Sequence, residues 1–230
     1  MKKRLLIEVL SVLAFLVVAT GVIAVTGADL AVSAPFCIDG KWPVGDLFFW
    51  QVFYRLDRIP SITLGIVGLA ALLLSFAREK YCRWKRAGAF LVLLLILGPG
   101  LLVNSVFKEH WGRPRPREIV EFGGKKQFLQ PWQKGEDGKG RSFPSGHSSA
   151  AFYMAAPYLI YRRTDRKRAY AWLARGLLFG IVMSAARITQ GGHFLSDTLW
   201  AFGVVALCAL LLASLLNLDG AAVVTPASKD

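Results

Sequence analysis

The sequence predicts an all-α integral membrane protein, a polytopic bundle of six transmembrane helices. Three observations predict it: an apolar composition, six apolar stretches that approach spanning length, and basic blocks confined to alternate connections. The 230-residue chain is 54% hydrophobic and only 19% charged, with mean hydropathy +0.45. A soluble domain of this size carries more polar surface than that.

A spanning helix needs about 20 mainly apolar residues, and the stretches 5–27, 60–77, 87–107, 145–161, 170–190 and 194–217 approach this length. The first follows Met1-Lys2-Lys3-Arg4 and starts like a signal peptide. It is long enough to span and lacks a clear small-residue cleavage site, so it reads as a retained helix. Within the third, Gly98-Pro99-Gly100 predicts a kink, because Pro99 removes a backbone donor and crowds the preceding turn. The fourth is short and contains Pro157. The fifth carries Arg175 near its start, where a long side chain reaches the interface. Residues 1–217 form one membrane domain, and 218–230 read as a short, disordered cytoplasmic tail.

The formal charge is +13. Such a charge suits nucleic acid, but the basic residues lie in short blocks between apolar runs, which is what membrane topology produces. Nucleic acid is therefore not expected as a partner. Lys2-Lys3-Arg4, 78–86 (five basic residues in nine) and 162–168 (five in seven) fall on one side, which the positive-inside rule makes the cytoplasm. Connections 28–59, 108–144 and 191–193 then face outward. Cys37 and Cys82 are separated by the bilayer, and Cys208 sits in an apolar run. With no C-x-x-C or Cys/His ligand spacing, neither a disulfide framework nor a metal site is indicated. The first outward loop holds Trp42, Phe48, Phe49, Trp50, Phe53 and Tyr54. It reads either as a segment at headgroup level or as a packed loop covering the bundle.

All three histidines, His110, His147 and His193, fall in or beside outward connections. The first cluster runs from Lys108 to Arg117 and holds four cations in ten residues: Lys108, Arg113, Arg115 and Arg117. A charge run is usually a solvated or topogenic face, but here it lies on the side that the positive-inside rule disfavours, so anion binding is the plainest reason for it. The second cluster is Phe143-Pro144-Ser145-Gly146-His147-Ser148-Ser149. Gly146 allows close backbone approach, and an opening helix with the Ser145 hydroxyl suits phosphate oxygens. The alternative is a turn in which Ser145 or Ser148 caps a helix. The third joins Ala186 and Arg187 to His193 and Asp197, four residues apart, so that Asp197 orients the imidazole if the last helix includes both. Phosphoryl transfer needs fixed cations, an in-line nucleophile and a proton donor for the leaving oxygen, and the three clusters supply those groups.

These clusters resemble the signature of the type 2 phosphatidic acid phosphatase superfamily, which includes lipid A phosphatases, polyprenyl diphosphate phosphatases and vanadium haloperoxidases. Six residues separate Lys108 from Arg115-Pro116, Pro144-Ser145-Gly146-His147 matches outright, and Arg187, His193 and Asp197 keep both third-motif spacings. The resemblance covers 108–197 by motif, and the six-helix layout extends it to most of the chain. It implies that His193 attacks phosphorus to form a phosphohistidine and that Asp197 holds its tautomer. His147 protonates the leaving oxygen and later activates water. Lys108, Arg115 and Arg187 clamp the phosphate with Ser145 and the Gly146 backbone, and no metal or cofactor is needed. The family usually places Ser before the third-motif Arg. Here Ala186 stands there, with Ser184 or Thr189 as possible substitutes.

The 108–144 connection is long enough to be functional. Arg113 and Arg117, beside the core cations, are candidates to hold an anionic headgroup, and the pattern around Arg115 and Gly123-Gly124 looks most like lipid A phosphatases. Phosphatidylglycerophosphate, phosphatidic acid and undecaprenyl diphosphate also fit, because the motifs contact only phosphate. The expected partners are a phosphorylated membrane lipid and the bilayer. The expected location is a bacterial inner membrane, with the site on the periplasmic face and both termini cytoplasmic. A lipid-to-lipid phosphotransferase and a catalytically silent lipid-binding or transport protein are the competing readings.

Overall fold

An apolar chain can hide its backbone from lipid only by pairing every N–H internally, and this chain does so almost entirely as helix. The computed structural model describes residues 2–56 and 58–220, and among them β structure is limited to isolated bridges. In chain order the helices are α1 (Lys2–Thr26), α2 (Ala28–Ser33), α3 (Phe48–Leu56), α4 (Arg58–Ala77) and α5 (Lys85–Leu95). The last runs through a wide-turned segment, Ile96–Phe107, into α6 (Lys108–His110). There follow α7 (Gly146–Tyr153), α8 (Pro157–Tyr161), α9 (Arg166–Thr189) and α10 (Leu195–Leu215). Among the described residues five stretches are long and apolar enough to cross a membrane: Lys3–Thr26, Phe48–Ala77, Glu79–His110, Arg166–Thr189 and Leu195–Leu215.

The expected fourth span, 145–161, is the one missing from those five, and Pro157 is the reason. Lacking an N–H, Pro157 cannot continue the i→i−4 ladder. The chain closes α7 with tighter i→i−3 bonds from Met154, Ala155 and Ala156 to Ala151, Phe152 and Tyr153 (3.1, 3.0 and 2.9 Å). It then restarts with Pro157 in the first turn of α8, where no donor is needed. The 146–161 rod still packs beside α10, tied to it at both ends. Ser145 N donates to Asp197 O at one end (3.1 Å), and Arg162 binds Asp219 through Nε and Nη2 at the other (2.9 and 2.6 Å).

The rod is the centre of the bundle. Ser148, Ser149, Ala151, Phe152, Tyr153, Leu159 and Ile160 are buried, and α9 and α10 pack against them. Helices in lipid gain little from excluding water, so close van der Waals approach has to hold them. Gly176 and Gly180 provide it on α9: a Cβ on the first would overlap the Ala155 backbone, and on the second the Phe152 ring. Outward-facing side chains such as Val25, Phe76 and Leu178 are apolar and exposed, as a lipid-facing surface requires.

Two expected irregularities take specific forms. The break at Pro99 is absorbed by the wide turns of 96–107, where Asn104 Nδ2 donates to Pro99 O at 2.7 Å and Ser105 Oγ to Gly100 O at 3.4 Å. The aromatic stretch of the first connection folds as α3, directly before α4. At the end remote from Asp197, Arg162 also holds Glu8 (3.0 Å), and Arg86 Nη1 reaches Asn217 O (3.4 Å). The three basic blocks thus meet where α1 begins and α10 ends. Leu218 is buried and Asp219 is ion-paired, so the expected tail starts docked, while residues 221–230 lie outside the described residues. Cys37, Cys82 and Cys208 are free thiols.

Gly176→Leu should lower stability in detergent by about 1–3 kcal/mol, because backbone has to move to admit the side chain. Gly21→Leu, at a position with open space around it, should stay within about 0.5 kcal/mol of wild type. Thermal or denaturant unfolding of the purified chain measures both.

Candidate active site

Each of the three polar clusters sits at a helix end, and those ends meet on one side of the bundle: 108–117 in and just beyond α6, 142–149 at the start of α7, and 187–197 from the end of α9 into α10. A buried guanidinium holds them together. Arg113 is wholly buried, and its Nη2 donates to Asp29 Oδ2 on α2 (2.8 Å). Its Nη1 donates to Asp197 Oδ1 (2.6 Å) and Ser196 Oγ (2.8 Å), and Nε donates to Leu129 O (2.9 Å). Asp29 in turn accepts Ser196 N at 2.8 Å and Ser196 Oγ at 2.6 Å. The Phe194 ring lies 4.6 Å from the guanidinium carbon. Burying three charges is tolerable only when hydrogen bonds saturate them, and here the polar edges of all three are used.

Asp197 passes this order to His193 through Ser142. Its Oδ2 accepts Ser142 Oγ at 2.5 Å and Phe194 N at 2.8 Å. The Ser142 carbonyl sits 2.6 Å from His193 Nδ1. A carbonyl only accepts, so Nδ1 carries the proton and Nε2 keeps its lone pair. A direct Asp197–His193 bond was expected; instead Oδ2 is 3.7 Å from Nδ1 and acts through space. The cause is that α10 starts at Leu195, which leaves His193 outside the helix and Asp197 capping it. Burial, aided by Arg187 and Lys108 and opposed by Asp197, lowers the His193 pKa to about 4. The imidazole is therefore neutral, with a usable Nε2, across the neutral pH range.

His193 forms part of the wall of a cavity of about 220 Å³. Lys108, Arg115, Arg117, Arg187 and His147 complete the charged side. Trp42, Asp46, Gln51, Tyr54 and Gln190 also line the cavity. Lys108 Nζ rests on Asn104 Oδ1 at 3.3 Å, and Gly146 has no side chain to displace them, since a Cβ there would overlap both atoms. Arg187 Nη1 is hydrogen-bonded to Gln190 Oε1. Arg117 N donates to Gly191 O (3.2 Å), which ties the first cluster to the third. Arg115 Nε is buried with no protein acceptor, as expected of a donor that an incoming anion satisfies. Burial and the neighbouring Arg117 lower the Arg115 pKa, and the guanidinium remains cationic. Among the described residues no three His, Cys, Asp or Glu side chains converge as metal ligands.

The structure thus brings Lys108, Arg115, Arg187, His147 and His193 to one cavity, with Arg117 beside them and Asp197 behind. Three of the expected contacts are arranged differently from the rest. Arg113, a candidate headgroup contact, is wholly buried and spends its donors on two carboxylates, the Ser196 hydroxyl and the Leu129 carbonyl. Ser145 is buried and off the cavity wall: its hydroxyl caps α7, accepting from Ser148 N at 3.3 Å and meeting Ser148 Oγ at 2.8 Å. Gly146 is likewise off the wall and acts by its size. Ala186 is buried against Ala151 and Met183, beside Trp50, Phe53 and Phe179. Neither suggested substitute lines the cavity. Ser184 Oγ is bonded to Gly180 O (2.7 Å) and Ser148 Oγ (3.2 Å), and Thr189 Oγ1 to Ala186 O (3.0 Å).

Sequence reasoning missed Trp42, Asp46, Gln51, Tyr54 and Gln190 as cavity residues, and the role of Asp29. The aromatic density of 42–54 was the available signal, and it spoke equally for a membrane-surface segment. Arg113→Ala should destabilise the protein by about 3–5 kcal/mol, because two buried carboxylates lose their counter-ion. Arg117→Ala should leave the melting point nearly unchanged and raise KM. Unfolding curves and initial rates on the two variants separate these outcomes.

Comparison with known proteins points the same way. The profile of the PAP2 superfamily matches residues 88–219, which includes every cavity cation and both cavity histidines. The chain is 36% identical over 154 residues to a lipid A 4'-phosphatase of Francisella tularensis subsp. novicida (strain U112), covering 66% of this chain and 68% of the relative. It is 38% identical over 193 residues to a lipid A 4'-phosphatase of Rhizobium leguminosarum, covering 80% and 81%. No solved structure matches the chain. The chain belongs to the PAP2 superfamily, as one of its membrane lipid phosphatases.

Proposed function

We propose that the chain hydrolyses a phosphate ester on the headgroup of a lipid A-type lipid, through a phosphohistidine on His193. The observation that carries this reading is the convergence of His147 and His193 with Lys108, Arg115 and Arg187 on one cavity. The names of the relatives support lipid A as the substrate class.

In this reading His193 Nε2 attacks phosphorus in line with the bond to the headgroup oxygen. That P–O bond breaks with its electron pair on oxygen, and His147 supplies the proton that makes it an alcohol. Lys108, Arg115 and Arg187 hold the equatorial oxygens as charge shifts between them, and being fixed in advance they need no reorganisation. His147, now a base, takes a proton from water. The water oxygen bonds to phosphorus, the P–N bond breaks with its pair returning to Nε2, and inorganic phosphate departs. Asp197 acts at one remove, holding Ser142 so that its carbonyl fixes the Nδ1–H tautomer. Arg117, beside the clamp, contacts the headgroup.

The rod 146–161 is read as a sixth crossing, since the residues flanking it are bonded to Asp197 near the start of α10 and to Asp219 just past its end. Both termini and the basic blocks are then cytoplasmic, and the cavity opens to the periplasmic face of a bacterial inner membrane.

Purified chain in detergent, with a chelator present, should release phosphate from lipid A at least about tenfold faster than from phosphatidic acid, phosphatidylglycerophosphate or undecaprenyl diphosphate. His193→Ala should lose about a thousandfold or more in turnover. Equal behaviour of wild type and His193→Ala on every lipid would refute the enzyme reading. Phosphate delivered to an acceptor lipid without release would make the chain a phosphotransferase.

A further inference from the structure

Tyr54 belongs to none of the three motifs, yet its ring stacks on the His147 imidazole with centres 5.0 Å apart and planes inclined by 26°. The Arg187 guanidinium carbon lies 4.8 Å from the centre of the same ring. The phenol is held there by the placement of α3. Gln51 Nε2, one turn before Tyr54, donates to Gly45 O at 3.1 Å, and Gln190 Nε2 at the end of α9 donates to the same oxygen at 3.5 Å. The start of α3 is thereby tied to the helix end that carries Arg187.

His147 lies among cations. Its burial disfavours a proton first, and Arg187 on α9, Lys108 on α6 and Arg58 on α4 add to that, while the neutral His193 ring, Arg115 and Asp46 share the cavity. Cations around an imidazole oppose the protonated form that a proton donor needs. The face of a phenol ring favours a cation, and its flat contact also limits rotation of the imidazole. We propose that Tyr54 is a positioning residue of this site: it aligns the His147 ring for proton donation to the departing headgroup oxygen and supports the ring when it carries the proton. The proposal rests on the phosphatase reading above.

A proton donor matters for an alcohol leaving group and little for a phenol, which departs as an anion. Tyr54→Leu should therefore slow the first step, alcohol release from a phosphorylated lipid in a single turnover, about tenfold or more, and the burst of phenol from an aryl phosphate by less than about threefold. Tyr54→Phe, which keeps the ring, should retain at least about half of both rates. Similar losses on the two esters, or Tyr54→Phe as impaired as Tyr54→Leu, would overturn the proposal while the active wild type leaves the phosphatase reading standing. A wild type that turns over neither ester overturns both. The contact can also be observed without turnover. With three histidines in the chain, the His147 ring-proton NMR signal can be assigned by substitution. It should lose its ring-current displacement in Tyr54→Leu and keep it in Tyr54→Phe; a signal unmoved in Tyr54→Leu overturns the stacking.

Discussion

The ion pairs of Arg113 with Asp29 and Asp197 bring together parts of the chain 84 residues apart in each direction. Every other feature of the site depends on this contact. Asp29 draws α2 against the start of α10, Leu129 O anchors the outward loop, and Asp197, once paired, is left with the lone pairs that hold Ser142 and the Phe194 N–H. Ser142 then fixes His193. Removing any one of these charges strands another in an interior where stranded charges are costly. The network therefore specifies one arrangement of four segments more firmly than apolar contact alone would.

The membrane imposes the second constraint. The bundle cannot rely on water exclusion to hold helix to helix, so it centres on a rod of small and aromatic residues and lets the glycines of α9 approach it closely. The rod begins beside His193 and ends at Arg162, whose ion pairs with Glu8 and Asp219 close the opposite end. Polar groups are thus gathered at the two ends, and the site lies at the end away from the basic blocks.

Much of this was legible in the sequence, for reasons that can be named. Apolar runs of spanning length are local signals, so α1, α4, α9 and α10 could be placed to within a few residues. The fourth run could not be settled that way, because Pro157 breaks a helix that tertiary contacts keep in line. Lys108, Arg115, His147, Arg187 and His193 were recognisable from spacing, since their separations reflect helix ends that meet at one cavity. The duties of Arg113, Ser145 and Asp197 were not. Whether a cation faces a cavity or a buried carboxylate depends on a partner such as Asp29, 84 residues away, and no spacing rule carries that information. Tyr54 was hidden for a related reason: an aromatic-rich helix looks the same in sequence whether it lies on lipid or over an imidazole.

In the proposed reaction His193, kept neutral by burial and aimed by the Ser142 carbonyl, takes the phosphoryl group covalently. The most direct measurement is an alkaline quench of wild-type protein during turnover of its phosphorylated lipid, with peptide mass spectrometry to locate bound phosphate. Phosphate on the peptide containing His193, lost on brief acid treatment and absent from His193→Ala, is the expected result. Turnover that proceeds at full rate with no phosphate on His193 at any quench time would contradict the account.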